Sequence, residues 1–177
     1  MRLLSVSLLR LFFCFSTAVN SDSYSMCEFQ ATTTLNCTAS SLRDFLGRPM
    51  NLPRVSDPEL QLEIIRAPEL VTVGERIEFR ITAYGFKQRA IHVYVAANEL
   101  EIIEDQIEGP LKAWRHRQVF TCLGNGQAVL EDQIRFTPPG GMLGFMMTEQ
   151  RIRESLQEGI QARHDALADL VRSGIIQ

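Results

Sequence analysis

Residues 111–120 alternate between two kinds of side chain, which predicts a strand because successive side chains of a strand point to opposite faces. One face carries Trp114, His116, Gln118 and Phe120, and a Gly-Pro pair precedes the strand. Rings interleaved with uncharged polar groups suit the wall of a pocket that holds and orients an apolar molecule. The alternative is an ordinary core face with a hydrogen-bonded histidine, since pockets and cores use the same residue types.

Other stretches with the same period predict an antiparallel meander. A threonine-rich stretch at 28–37 predicts an edge strand. Alternating runs predict further strands around residues 60–65, 77–83, 91–95, 102–106 and 130–136. The sequence Gly124-Asn125-Gly126 predicts a hairpin turn before the last of them. The connections are short, so neighbouring strands are expected to be antiparallel.

Two short helices and one long helix complete the predicted elements. Ser40 or Ser41 is expected to cap a short helix that reaches residue 46, and the prolines among residues 51–58 allow only a short helical turn or a loop. Thr148 is expected to cap a long C-terminal helix whose solvated face includes Arg163. The apolar stripe of this helix, which has one gap, consists of Ile152, Leu156, Ile160, Leu167, Leu170 and Val171.

These elements predict an α+β fold in which an antiparallel β-sheet wraps around the long C-terminal helix. A curved sheet leaves space that a single helix does not fill, so the architecture predicts an internal cavity between sheet and helix.

Composition limits the possible partners. The chain has 177 residues, of which 45% are apolar, which fits one globular domain. The net charge is -3 and no basic block stands out, which argues against nucleic acid as a partner. The N-terminal apolar run is too short to predict a stable membrane span. The oligomeric state is left open.

Residues 1–25 are expected to be an N-terminal extension, followed by one domain over residues 26–177. The extension has a basic start and an apolar run, which is typical of a signal or targeting peptide or of a membrane-peripheral tail. We favour a third alternative, a chain that starts at Met26, because removal of a signal peptide would leave an odd number of cysteines. The cysteines lack metal-site spacing and are typical of reduced residues, so we expect a cytoplasmic protein, with export or peripheral membrane attachment through residues 1–25 as the alternative.

Residues 29–167 resemble the START-like, helix-grip SRPBCC superfamily, which includes polyketide cyclase/dehydrase-like and coenzyme-Q-binding proteins. The resemblance is to a subgroup of small bacterial ligand-binding proteins. Its first motif matches Ile102, Glu104, Gln106, Gly109-Pro110, Trp114, His116, Gln118 and Phe120. The pattern continues with Asp132, Ile134, Phe136, Pro138 and Gly140-Gly141. The second histidine of the motif is Gln118 here, which argues against a role that needs two imidazoles.

The resemblance implies that the cavity binds a lipid, an isoprenoid, a polyketide or a similar hydrophobic molecule. Its expected polar contacts are Glu104, Gln106, His116, Gln118 and Asp132. The expected apolar walls are Trp114, Phe79, Phe120, Ile134, Phe136, Ile152 and Leu156. No metal site is expected from one histidine and two separate acids, and no cofactor is expected.

His116 and Asp132 are the candidate catalytic residues, because a short turn joins their strands and a carboxylate beside an imidazole fixes its tautomer and raises its pKa. The resulting alternative function is a polyketide cyclase or dehydratase that uses them as an acid–base pair. The interpretation that we favour for the same two residues is a buried polar pair that satisfies its own hydrogen bonds and locks the strand register. His92 and His164 are expected at the surface or at the rim of the cavity.

Overall fold

The computed structural model describes residues 26–83 and 85–177. The predictions for residues 1–25 therefore lie outside the described residues. In the described part of the chain, no helix has an apolar stretch long enough to cross a lipid bilayer.

Seven antiparallel strands within residues 26–83 and 85–177 form one sheet, as the alternation predicts. Its strands are β1 (Cys27–Leu35), β2 (Glu63–Arg66), β3 (Arg76–Ala83), β4 (Phe86–Ala97), β5 (Glu101–Glu108), β6 (Ala113–Gly124) and β7 (Gln127–Thr137). Their order in the sheet is β1-β7-β6-β5-β4-β3-β2, so consecutive strands pair from β2 to β7 and β1 returns to the β7 edge. The prediction of β1 as an edge strand is confirmed.

The turn between β6 and β7 fixes their pairing. Gly124, Asn125 and Gly126 all have positive φ angles, of 80°, 53° and 72°. Glycine and asparagine tolerate this left-handed region better than other residues. The resulting register places His116 opposite Ile134 and Gln118 opposite Asp132.

Two short helices follow β1, namely α1 (Ala39–Leu46) and α2 (Leu52–Val55), each accompanied by one turn of 3₁₀-helix, at Pro49–Asn51 and Pro58–Leu60. The predicted cap of α1 is wrong by two to three residues. Thr38 is the N-cap, because its side-chain oxygen accepts a hydrogen bond from the backbone amide of Ser41. The apolar face of α1, formed by Leu42, Phe45 and Leu46, is buried as expected.

The short helix α3 (Gly141–Met146) leads into the long helix α4 (Glu149–Arg172). Thr148 caps α4 as predicted, and its hydroxyl accepts a hydrogen bond from the Arg151 amide. Residues Ile152, Ile160 and Leu167 of the predicted stripe are buried against the sheet.

The interior formed by the described residues contains two apolar clusters. One joins α1 to the sheet and to the C-terminal half of α4, and includes Leu42, Phe120, Leu130 and Leu167. The other joins β7 to the N-terminal half of α4, and includes Phe136, Met147, Ile152 and Ile160. Ile134 also belongs to this second cluster.

Candidate functional site

A cavity of about 290 Å³ lies between the inner face of the sheet and α4. Its apolar wall includes side chains of α2, β3 and α4, such as Val55, Phe79, Ile81, Leu156 and Ile160. Gly159 of α4 also lines the cavity. Ligand pockets in proteins range from about 300 to 1,000 Å³, so this cavity is just below the lower end of that range.

The polar side of the cavity is the inner face of β4, β5 and β6. Most of the residues predicted to bind a ligand line the cavity as a whole. They are Phe79, Glu104, Gln106, Trp114, His116, Gln118, Ile134, Ile152 and Leu156. Phe120 and Phe136 instead pack in the two apolar clusters, and Asp132 is fully buried beside His116. A ligand-binding role for these residues stays a prediction.

Asp132 is the centre of a buried hydrogen-bond network. Its Oδ1 is 2.7 Å from His116 Nε2, and its Oδ2 is 2.8 Å from His164 Nε2. The predicted proximity of His116 and Asp132 is therefore confirmed. Arg163 adds a positive charge, with its Nε 3.8 Å from Asp132 Oδ1. One terminal nitrogen of Arg163 also donates to Gln118 Oε1 over 2.6 Å.

Glu104 extends this network to the next strand. Its Oε1 is 3.6 Å from His116 Nδ1 and 3.5 Å from His92 Nδ1. The result is a chain of contacts in the order His92, Glu104, His116, Asp132 and His164. It contains all three histidines of the sequence. Within the described residues, no group of three or more potential ligands is arranged to hold a metal ion.

Solved structures with this architecture cover most of the chain, although no family model and no curated protein matches the sequence. A START superfamily protein from Mycobacterium smegmatis aligns with a TM-score of 0.62 and 14% identity over 82% of this chain and 97% of that one. The Zhui aromatase/cyclase of a Streptomyces species aligns with a TM-score of 0.58 and 17% identity over 83% of this chain and 92% of that one. Ginseng major latex-like protein 151 from Panax ginseng aligns with a TM-score of 0.63 and 12% identity over 81% and 96% of the two chains. The chain has the START-like, helix-grip fold. At these identities the likeness concerns the fold alone.

The predicted positions of three site residues in this START-like fold are wrong. His92 and His164 were expected at the surface or rim, and Arg163 on the solvated face of the helix, but each is only 7% exposed. Arg163 and His164 fill the gap in the apolar stripe of α4 between Ile160 and Leu167. Residues three and four positions apart share a helix face, so this gap was the signal that would have found them.

His92 lies on the inner face of β4 together with Ala90 and Tyr94, which are also buried. Both faces of this strand carry large side chains, so its period alone does not choose the buried face. The pairing of β4 with β5 determines which side chains are buried together, since it places His92 opposite Gln106 and Tyr94 opposite Glu104. The carboxylate of Glu104 then gives the imidazole a partner inside the protein.

The network shifts the pKa values of Asp132, Glu104 and His116. Burial opposes the ionisation of Asp132, but hydrogen bonds from His116 and His164 outweigh burial and hold its pKa below the ordinary value. Burial likewise opposes the ionisation of Glu104, and its contacts with His116 and His92 hold its pKa below the ordinary value. Burial disfavours protonation of His116, yet Asp132 and Glu104 together raise its pKa.

The raised pKa favours the imidazolium form of His116 between these two carboxylates. Its Nε2 faces Asp132 and its Nδ1 faces Glu104, and only a doubly protonated ring presents a proton to both acids. Such a group can act chemically as a general acid, and it can also hold three strands of the sheet in register. The two roles correspond to the two interpretations made from the sequence.

Proposed function

We propose that this protein binds a hydrophobic small molecule, such as a lipid, an isoprenoid or a polyketide-like compound, in the cavity between its sheet and α4. The observation that carries the proposal is the cavity itself, which combines apolar walls with a polar side formed by β4, β5 and β6. Protein interiors without a ligand site are packed to high density, because empty space beside apolar side chains is destabilising.

The only tryptophan of the sequence, Trp114, lines the cavity and provides a direct test. We expect excitation of Trp114 to produce energy transfer to N-phenylnaphthylamine, an uncharged apolar probe, when the probe enters the cavity. An apolar ligand that copurifies from the native host should displace the probe, and native mass spectrometry would give the ligand mass. Absence of both energy transfer and copurified ligand would contradict the proposal.

A second candidate function is acid–base catalysis on a carbonyl compound, of the polyketide cyclase or dehydratase type. It is supported by the 2.7 Å hydrogen bond between His116 Nε2 and Asp132, which leaves Nδ1 as the donor to a developing oxyanion in the cavity, because Nδ1 lies 3.6 Å from Glu104, beyond hydrogen-bond distance. The solved Zhui protein is named an aromatase/cyclase, but its identity to this chain is only 17%.

The variants His116→Gln and His116→Ala test this second function. Both should abolish turnover of a poly-β-ketone substrate, followed by product chromatography, while probe uptake persists. Turnover that survives in a folded variant would exclude His116 as the acid and leave the binding function in place.

A further inference from the structure

The residues that carry unpaired polar atoms in the described interior lie along the cavity. Within residues 26–83 and 85–177, the buried side-chain atoms without a hydrogen-bond partner are Gln88 Oε1, His92 Nδ1, Trp114 Nε1 and Arg163 Nε. All four residues line the cavity. Buried polar groups of native proteins are nearly always hydrogen-bonded, so atoms that have no partner in the protein indicate what an occupant of the cavity should supply.

Two of these four atoms still have an electrostatic partner. His92 Nδ1 lies 3.5 Å from Glu104, and Arg163 Nε lies 3.8 Å from Asp132. The other two are Trp114 Nε1 and Gln88 Oε1. The indole nitrogen can only donate, and the amide oxygen can only accept. The amide of Gln88 is oriented by its nitrogen, which donates to the backbone oxygen of Ala83 over 3.3 Å.

The charges on the buried polar side of the cavity balance one another, and the further carboxylate of Asp57 lines the cavity from a half-buried position. The carboxylates of Glu104 and Asp132 are matched by the guanidinium of Arg163 and by His116, whose pKa is raised between the two acids. A carboxylate on the ligand would share this space with Glu104 and would require a further positive charge to offset its desolvation. The balance therefore favours an uncharged ligand.

We propose that the ligand is an uncharged, compact apolar molecule with two oxygen functions, a carbonyl oxygen that accepts a hydrogen bond from Trp114 Nε1 and a hydroxyl that donates to Gln88 Oε1. The inference rests on the proposed binding function and narrows its ligand class. It disfavours fatty acids, which are anionic, and plain hydrocarbons, which pair with neither atom. The cavity of about 290 Å³ is consistent with a small ring system.

Four matched bicyclic probes test this class by isothermal titration calorimetry on the full chain at slightly acidic pH. They are tetralin, α-tetralone, a ring-hydroxylated α-tetralone and tetrahydronaphthoic acid. One net hydrogen bond corresponds to about a fivefold change in affinity, so the ketone should bind about fivefold tighter than tetralin. The hydroxylated ketone should gain about another fivefold, and the acid should bind more weakly than tetralin.

Two variants assign these gains to the two atoms. Trp114→Phe keeps a ring but loses the donor, so it should remove the advantage of the ketone over tetralin. Gln88→Leu should remove only the advantage of the hydroxyl group. Ile81→Val changes the apolar wall next to Gln88 and serves as the control, which should preserve both affinity ratios.

Equal affinity for tetralin and both ketones, or ratios that survive in the folded variants, would overturn the inference and leave hydrophobic binding intact. Tightest binding of the acid would overturn it in the same way. The two variants are independent, so one that fails to fold leaves the other to decide. If none of the four probes binds and N-phenylnaphthylamine gives no signal, the proposed function itself fails.

Discussion

Gly159 offers a substitution that should stabilise the protein and block its cavity at the same time. A Cβ added at this position would meet no atom within 4 Å, and the residue lines the cavity from α4. A glycine inside a helix costs about 1 kcal/mol relative to alanine. Burial of a leucine side chain contributes about 1.5–3 kcal/mol when it packs fully.

Gly159→Ala should therefore raise the free energy of unfolding by about 1 kcal/mol. Gly159→Leu should raise it by about 2 kcal/mol, since its side chain only partly fills the space. For a chain of this length, 2 kcal/mol corresponds to a rise in Tm of about 4–8 °C. The same leucine occupies the volume that an apolar probe needs, so affinity for N-phenylnaphthylamine should fall at least about tenfold, or about 1.4 kcal/mol.

Urea unfolding followed by far-UV circular dichroism gives the stability, and energy transfer from Trp114 gives the probe affinity. Glu158→Ala, at the exposed position next to Gly159, is the matched control and should leave probe affinity unchanged. A Gly159→Leu protein that is less stable than the parent, or that binds the probe with undiminished affinity, would refute the view that open space lies beneath α4.

Three further predictions concern the buried network and the long helix. Asp132→Asn should lower the free energy of unfolding by about 3–5 kcal/mol, because it leaves the buried guanidinium of Arg163 and the favoured imidazolium form of His116 without a counter-charge. Asp105→Asn, which breaks a more exposed pair with Arg115, should cost at most about 1 kcal/mol in the same urea titration, and equal losses would contradict the reasoning. The carboxylates of Asp132 and Glu104, whose pKa values are lowered, stabilise the fold above about pH 4, and this contribution is lost on acidification. His116, whose pKa is raised, stabilises the fold below about pH 6.5, and this contribution is lost as pH rises. Stability measured against pH should therefore peak between these values, and His116→Gln should flatten the alkaline side; an unchanged alkaline side would count against the imidazolium. Thr148→Ala should cost about 1 kcal/mol in thermal unfolding through loss of the α4 cap, while Thr148→Ser should cost little.

The sheet and the long helix could be predicted from the sequence because their patterns are local. Alternation along residues 113–120 places Trp114, His116 and Gln118 on one face, and the turn at 124–126 sets the register that brings Asp132 close to His116. Periodicity indicates which face of the sheet a residue occupies, but it does not indicate whether that part of the strand lies along the cavity or in an apolar cluster. Phe120 and Phe136 share the inner face and still lie in the apolar clusters rather than along the cavity.

The other half of the network depends on pairings between distant parts of the chain. The sequence predicts surface or rim positions for Arg163 and His164, because charged and polar side chains are mostly exposed. Their burial is explained by Asp132, which lies 32 residues from His164 in the sequence and meets it only after α4 packs on the sheet. His92 was misplaced for a similar reason, since its partner Glu104 is on the next strand.

The network divides α4 into two parts with different attachments. Arg163 and His164 tie the second half to Gln118 and Asp132, whereas the first half spans the cavity at Leu156 and Gly159. Local opening is easiest where few buried contacts oppose it. Backbone amides of residues 153–159 should therefore exchange with deuterated solvent faster than those of residues 163–170, and an occupant of the cavity should slow exchange chiefly in the first group.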